Sequence, residues 1–145
     1  KNHGDTEARR NLMMKNMLDE DVYFEITGQI IDSCITVHKQ MGPGLLESVY
    51  EYCLIDELQS RGLTVQHRVE IPLIYKGKEL KKTFVIDLPV NDEIILELKS
   101  VEVVHPVFEA QLLSYLKLAN KKVGYLLNFN VPLMKQGIKR LKNGY

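Results

Sequence analysis

From Thr27 onward the chain keeps a helical rhythm, with Ile30, Cys34, Val37 and Met41 recurring every three or four residues and Ile31, Ile35 and His38 widening the stripe. His38 lies on that apolar face and is expected to be a satisfied core histidine rather than a ligand. Gly42-Pro43-Gly44 interrupts the pattern, because proline lacks an amide donor and glycine tolerates backbone angles other residues avoid. A second helix is predicted from about Leu45 to Ser60, with Leu46, Val49, Tyr50, Cys53, Leu54 and Leu58 as its apolar side and Arg61-Gly62 as its end.

After Gly62 the period falls from 3.6 to 2. Val65, His67 and Val69 alternate with Gln66, Arg68 and Glu70, and the strand runs on to Tyr75, where Lys76-Gly77-Lys78 predicts a turn. Two further strands are expected, Lys82 to Leu88 and Glu93 to Val101, joined across Pro89-Val90-Asn91-Asp92. Pro106 suits the first turn of a helix reaching about Asn120, Val123 to Phe129 is apolar enough for a central strand, and a short terminal helix is predicted from Leu133 to Leu141. Two helices, three strands, a helix, a strand and a helix make an α/β layer domain, a mixed sheet flanked by helices. Residues 23–145 form that domain. Residues 1–22 are polar and aperiodic apart from Leu12, Met13, Met14, Met17 and Leu18. They are expected as an arm or short helix resting either on the body or on a second copy, the latter making a homodimer.

The totals narrow the picture only a little. The chain has 145 residues, enough for one domain, and 19 basic residues balance 19 acidic ones, so bulk charge gives no reason to expect nucleic acid. The distribution is more telling: from Lys117 onward every formal charge is basic, which marks either a solvated face or a surface that tracks phosphates. Cys34 and Cys53 lack the spacing of a disulfide framework or metal pair and are expected as two buried thiols. No run approaches the ~18 apolar residues of a membrane span, and no apolar signal region opens the chain, so no membrane partner and a cytoplasmic setting are expected.

The chemistry concentrates on one hairpin. In Ile94-Ile95-Leu96-Glu97-Leu98-Lys99, alternate residues share a face, so Ile94, Leu96 and Leu98 point one way and Glu97 and Lys99 the other. On the preceding strand Phe84, Ile86 and Leu88 are the expected apolar partners, which leaves Asp87 opposite them. A hairpin centred on Asp92 sets Asp87 directly across from Glu97, with Cβ atoms roughly 4.5–5.5 Å apart. Two carboxylates so close repel unless a positive charge lies between them. Either the hairpin is a wet surface with an Asp, a Glu and a Lys on it, or Asp87, Glu97 and the Leu98 carbonyl hold Mg²⁺ (or Mn²⁺), a hard cation that takes oxygen ligands. In the second case Lys99 orients or helps deprotonate an attacking water and offsets transition-state charge. Gln111 and Tyr115 share a helix face four residues apart and either support that site or border the helix in water. Glu47, one turn before Glu51, either stabilises a helix N-terminus or points into the same interior.

Asp87 followed by Glu97-Leu98-Lys99 resembles the signature of the PD-(D/E)xK nuclease superfamily, and Gln111-x-x-x-Tyr115 resembles the added helical motif of its RecB-like branch. More closely, Gly44-Leu45-Leu46-Glu47-Ser48-Val49-Tyr50 is similar to the motif that names the GxxExxY protein family, as are the stretches 110–117, 124–129 and 137–140. The resemblance implies a restriction-endonuclease-like three-layer core. It implies Asp87 and Glu97 as metal ligands, Lys99 as the catalytic lysine, Glu47 reaching the site directly or through water, and Gln111 with Tyr115 as the supporting pair. The implied activity is divalent-metal-dependent hydrolysis of nucleic-acid phosphodiesters, DNA ahead of RNA. The alternative is a catalytically silent module of the same fold that binds nucleic acid or protein. Two positions depart from the pattern: Pro89 replaces an ordinary strand residue just after Asp87, and Phe108 stands where a His is expected.

Overall fold

A computed structural model describes residues 3–144. The first helix, α1 (His3–Met41), is followed by α2 (Glu47–Ser60). A hairpin of β1 (Val69–Tyr75) and β2 (Lys78–Ile86) leads to β3 (Leu88–Val90) and β4 (Ile94–Lys99). Then come α3 (Pro106–Ala119), β5 (Val123–Asn128), a single 3₁₀ turn (Met134–Gly137) and β6 (Ile138–Lys142).

The central sheet has strand order β3-β4-β5-β6 and is mixed: β4 and β5 run parallel, and the outer pairs are antiparallel. Strand alternation sends its two faces into different cores. Ile94, Leu96, Leu98, Val123, Tyr125 and Leu127 pack beneath α1 and α2 against Ile30, Cys34, Tyr50, Leu54 and Leu58. Ile95 and Leu126 point the other way, to Leu112, Tyr115 and Leu116 of α3. The expected three layers are therefore present, with helices on both faces of a mixed sheet. All six residues of β5 are buried, as its apolar run predicted. Pro106 opens α3, whose N-cap His105 accepts a 3.1 Å hydrogen bond from the Val107 amide through Nδ1.

Several elements differ from the sequence expectation. The first helix has no boundary at residue 22. It runs unbroken from His3, because residues 3–22 contain no proline and are rich in strong helix formers, whose propensity does not require an apolar period. The first strand is not continuous from Val65: an isolated bridge joins Val65 to Val90, and Arg68, with φ 56°, kinks the chain before β1 begins. The Lys76-Gly77 turn is present, with φ of 50° and 77°, but β2 starts directly after it rather than at Lys82. The expected Lys82–Leu88 strand is cut at Asp87. Ile86 consequently joins the α3-side core while Leu88 joins the α1/α2-side core, so Phe84, Ile86 and Leu88 do not share one face. The terminal segment is a strand instead of a helix, since pairing β6 with β5 satisfies an edge that helix formation leaves open. Gly137 makes that return: a Cβ there would overlap the Asn128 carbonyl oxygen.

His38 is 7% exposed and its Nε2 lies 2.8 Å from the Val131 carbonyl, a satisfied core histidine as expected. Cys34 is buried, whereas Cys53 is only half-buried, and both are free thiols.

Candidate active site at the end of β4

The observed register of β3 on β4 is Leu88↔Leu96, Pro89↔Ile95 and Val90↔Ile94, which is the pairing centred on Asp92. Pro89 does not disturb it. Its carbonyl accepts from the Gln66 amide at 3.0 Å on the side away from β4, so its missing N–H falls on that outer edge. Continued by one step, the register brings Asp87 opposite Glu97, where side chains replace the backbone ladder. The Asp87 amide donates to Glu97 Oε2 at 2.7 Å, and the Leu98 amide donates to Asp87 Oδ2 at 3.0 Å. Each carboxylate thus uses one oxygen to tie the two strands and keeps a second oxygen for another partner.

The electrostatics of this pair are strained. Glu97 is 6% exposed, and burial first, then the neighbouring Asp87 carboxylate, pushes its pKa from 4.5 up to about 8. Asp87 is also raised, chiefly by burial, with the Leu98 amide opposing and Glu51 adding to the rise. Lys99, at the end of β4, lowers both. Its Nζ sits 4.3 Å from the centroid of the Phe108 ring, so the residue that departs from the family pattern faces the lysine with its π-cloud.

Glu47 reaches this cluster from α2. It is the first residue of the helix, and burial raises its pKa against the opposing effect of Lys99, with Asp87 and Glu51 adding to the rise. The Gly42-to-Leu45 loop that aims α2 is fixed by Tyr50, whose hydroxyl donates to the Gly42 carbonyl at 2.6 Å and accepts from the Leu45 amide at 3.1 Å. The Tyr50 ring stacks on Phe129, centroids 4.6 Å apart. Gly44, with φ 92°, supplies a left-handed angle that a side chain would disfavour. The glycine, glutamate and tyrosine of that motif therefore have one joint effect: a turn, a residue carried on it and a staple that holds it. On the other side, buried Asn128 clamps the chain after β4, accepting from the Val101 amide at 3.1 Å and donating to the Val101 carbonyl at 2.9 Å.

Tyr115 is 9% exposed beside Phe84, and its pKa is raised by burial and then by the charges of Glu97 and Asp87. Gln111, one turn earlier on α3, is exposed. Sequence reasoning missed Glu51, which is 5% exposed and pairs with His67 Nε2 at 2.9 Å, with Arg68 Nη1 3.9 Å away. Its position one turn after Glu47 was the available signal. The basic C-terminal residues do not form one track: Lys139 pairs with Glu109, Lys121 pairs with Asp92, and Lys122, Arg140 and Lys142 line a hollow of about 670 Å³ at the far end of β5.

Among the described residues, no group of three or more His, Cys, Asp or Glu side chains is gathered to hold a metal ion. The donor set at the carboxylate pair is oxygen only, the chemistry of a cation such as Mg²⁺, which binds through one or two carboxylates and keeps several waters. No described helix is long and apolar enough to cross a membrane.

A mixed sheet with helices on both faces defines an α/β protein, here with an Asp and a Glu interlocked beside a Lys where β3 meets β4. Residues 24–141 match the PD-(D/E)XK nuclease superfamily, and the chain belongs to it. Searches of curated proteins and of solved structures each found no match. Membership gives the chain general hydrolytic potential and makes nucleic acid a consistent partner.

Proposed function

We propose that the protein is a divalent-metal-dependent nuclease hydrolysing phosphodiester bonds, DNA ahead of RNA, within the GxxExxY group of the superfamily. The observation that carries this reading is the interlock of Asp87 and Glu97 beside Lys99, a half-buried and a buried carboxylate held together against their own repulsion. Mg²⁺ or Mn²⁺ would be held by Asp87, Glu97 and the Leu98 carbonyl. The Leu98 amide is turned toward Asp87, and a strand residue's carbonyl points to the same side as its amide. When bound, the ion supplies Lewis acidity at the phosphate and balances the two carboxylates.

The protein's own groups then have separate tasks. Lys99 Nζ offsets charge on the pentavalent transition state and orients the attacking water, while the Phe108 face limits where that Nζ can move. Water oxygen bonds to phosphorus, the P–O ester bond opposite breaks, the water proton passes to solvent, and the leaving oxygen takes a proton from solvent. Glu47 receives water from the α2 side, and Tyr115, with Gln111 at the rim, contacts the phosphate or base.

The test is cleavage of linear, nicked and single-stranded DNA and of RNA with Mg²⁺ or Mn²⁺, beside Asp87→Ala, Glu97→Ala and Lys99→Ala. Each substitution is expected to lower the rate by about a hundredfold or more. Cleavage that survives all three overturns the assignment. Binding of nucleic acid with no turnover under any metal replaces it with the silent-module reading.

A further inference from the structure

Among its described side chains, the N-terminal part of α1 has none buried, and only its last turn, at Glu20 and Val22, borders hollows shared with the body. From Thr6 to Val22 every side chain described is exposed, and burial begins only at Tyr23 and Ile26. Leu12, Met13, Met14 and Met17 are 56–59% exposed and Phe24 is 81% exposed. Helices in water owe most of their stability to burying an apolar face, so a projecting rod of about 25 Å with this much bare apolar surface calls for a cover.

The sequence of the rod says what that cover is. Arg10, Met13, Met17, Glu20 and Phe24 follow one another at steps of three, four, three and four, the spacing of a two-helix seam. Charge is unevenly divided along it: between Thr6 and Lys15, Arg9, Arg10 and Lys15 outweigh Glu7, whereas Glu20, Asp21 and Glu25 make the second half acidic. We infer that α1 pairs antiparallel with α1 of a second copy of this chain, Met13 against Met17 and Arg10 against Glu20. An antiparallel pair places the basic half of each rod on the acidic half of the other, whereas a parallel pair stacks like on like. Covering Met13, Met17 and Phe24, with Met14 at the flank, removes at most roughly 500 Å² per copy, on the order of 1,000 Å² in all, the lower bound of a specific interface.

Sedimentation equilibrium of the full chain tests this. The expected result is a dimer that Met13→Glu with Met17→Glu turns into a monomer without loss of body fold, since both positions are exposed. Arg10→Glu alone is expected to weaken dimerisation at least tenfold, and Arg10→Glu with Glu20→Arg to restore it. A chain that stays monomeric at about 100 µM, or a dimer untouched by the methionine substitutions, overturns the inference, and the first result assigns the stripe to a different partner. Failure of the double charge reversal to restore association overturns the antiparallel register. None of these outcomes depends on whether Asp87 and Glu97 support cleavage.

Discussion

Replacing Glu97 with glutamine tests the strain at the carboxylate pair without touching its shape. The folded, metal-free protein holds a proton on Glu97 up to a pH of about 8, whereas the unfolded chain releases it near 4.5. Between those values the unfolded state binds fewer protons, so stability is fully present below the unfolded pKa and is lost as pH rises through the folded one. From about pH 5 to about pH 8 the loss attributable to this one group is about 3 kcal/mol, most of the fully developed shift at 1.36 kcal/mol per pKa unit. The substituted amide keeps an oxygen to accept the Asp87 N–H and carries no charge to desolvate or to repel Asp87. The assay is urea denaturation of both proteins in chelator at the two pH values. The two should be alike near pH 5, and the Glu97→Gln variant should be about 3 kcal/mol more stable near pH 8, with the same denaturant dependence. Equal slopes of stability against pH in the two proteins refute the reasoning, since Glu97 then carries no strain. Added Mg²⁺ should stabilise the parent near pH 8 and leave the variant almost unchanged.

Three further outcomes follow from other contacts. Tyr50→Phe keeps the stack on Phe129 but loses both hydroxyl hydrogen bonds, and should cost about 1–3 kcal/mol in chemical denaturation, with slower cleavage from a slackened α2 start. Gly137→Ala drives a methyl against the Asn128 carbonyl and should destabilise by about 2 kcal/mol or more, with the amides of β6 losing hydrogen-exchange protection first. Burial pushes the Cys34 thiol up to about 12. A maleimide at neutral pH should therefore modify at most Cys53 in the native protein and both cysteines after unfolding, as read by intact mass.

The three layers were legible in the sequence because β4 and β5 are apolar over nearly their full length, and α2 and α3 carry clear helical stripes. The pairing of Asp87 with Glu97 was legible for a simpler reason: a tight turn fixes register, and counting outward from Asp92 gives the partner. What escaped was decided by long-range contacts. The break at Asp87 arises because its side chain competes for backbone donors that a regular strand would satisfy, and alternation cannot show that. The terminal segment has residues that fit a helix, and only the open edge of β5 makes it a strand. Glu51 looked like an ordinary helix carboxylate until the chain kinked at Arg68 and brought His67 against it. The described side chains at the start of α1 are exposed, so helix propensity rather than burial decides that stretch, and alternation of apolar and polar positions does not reveal it.

The break at Asp87 has a mechanical side. The residue is the covalent joint between the β1–β2 hairpin, a two-stranded sheet of its own, and the four-stranded core. The Arg68 amide crosses the same joint, donating to the Asp87 carbonyl at 2.7 Å. The hairpin is also held beyond that joint, since Ile71, Phe84 and Ile86 pack on Leu112 and Tyr115 of α3. Asp87 is thus gripped from two sides, by the Arg68 amide on its carbonyl and by the Leu98 amide on its carboxylate. Its distance from Glu97 is set by the seating of the hairpin on α3 as much as by the pairing of β3 with β4.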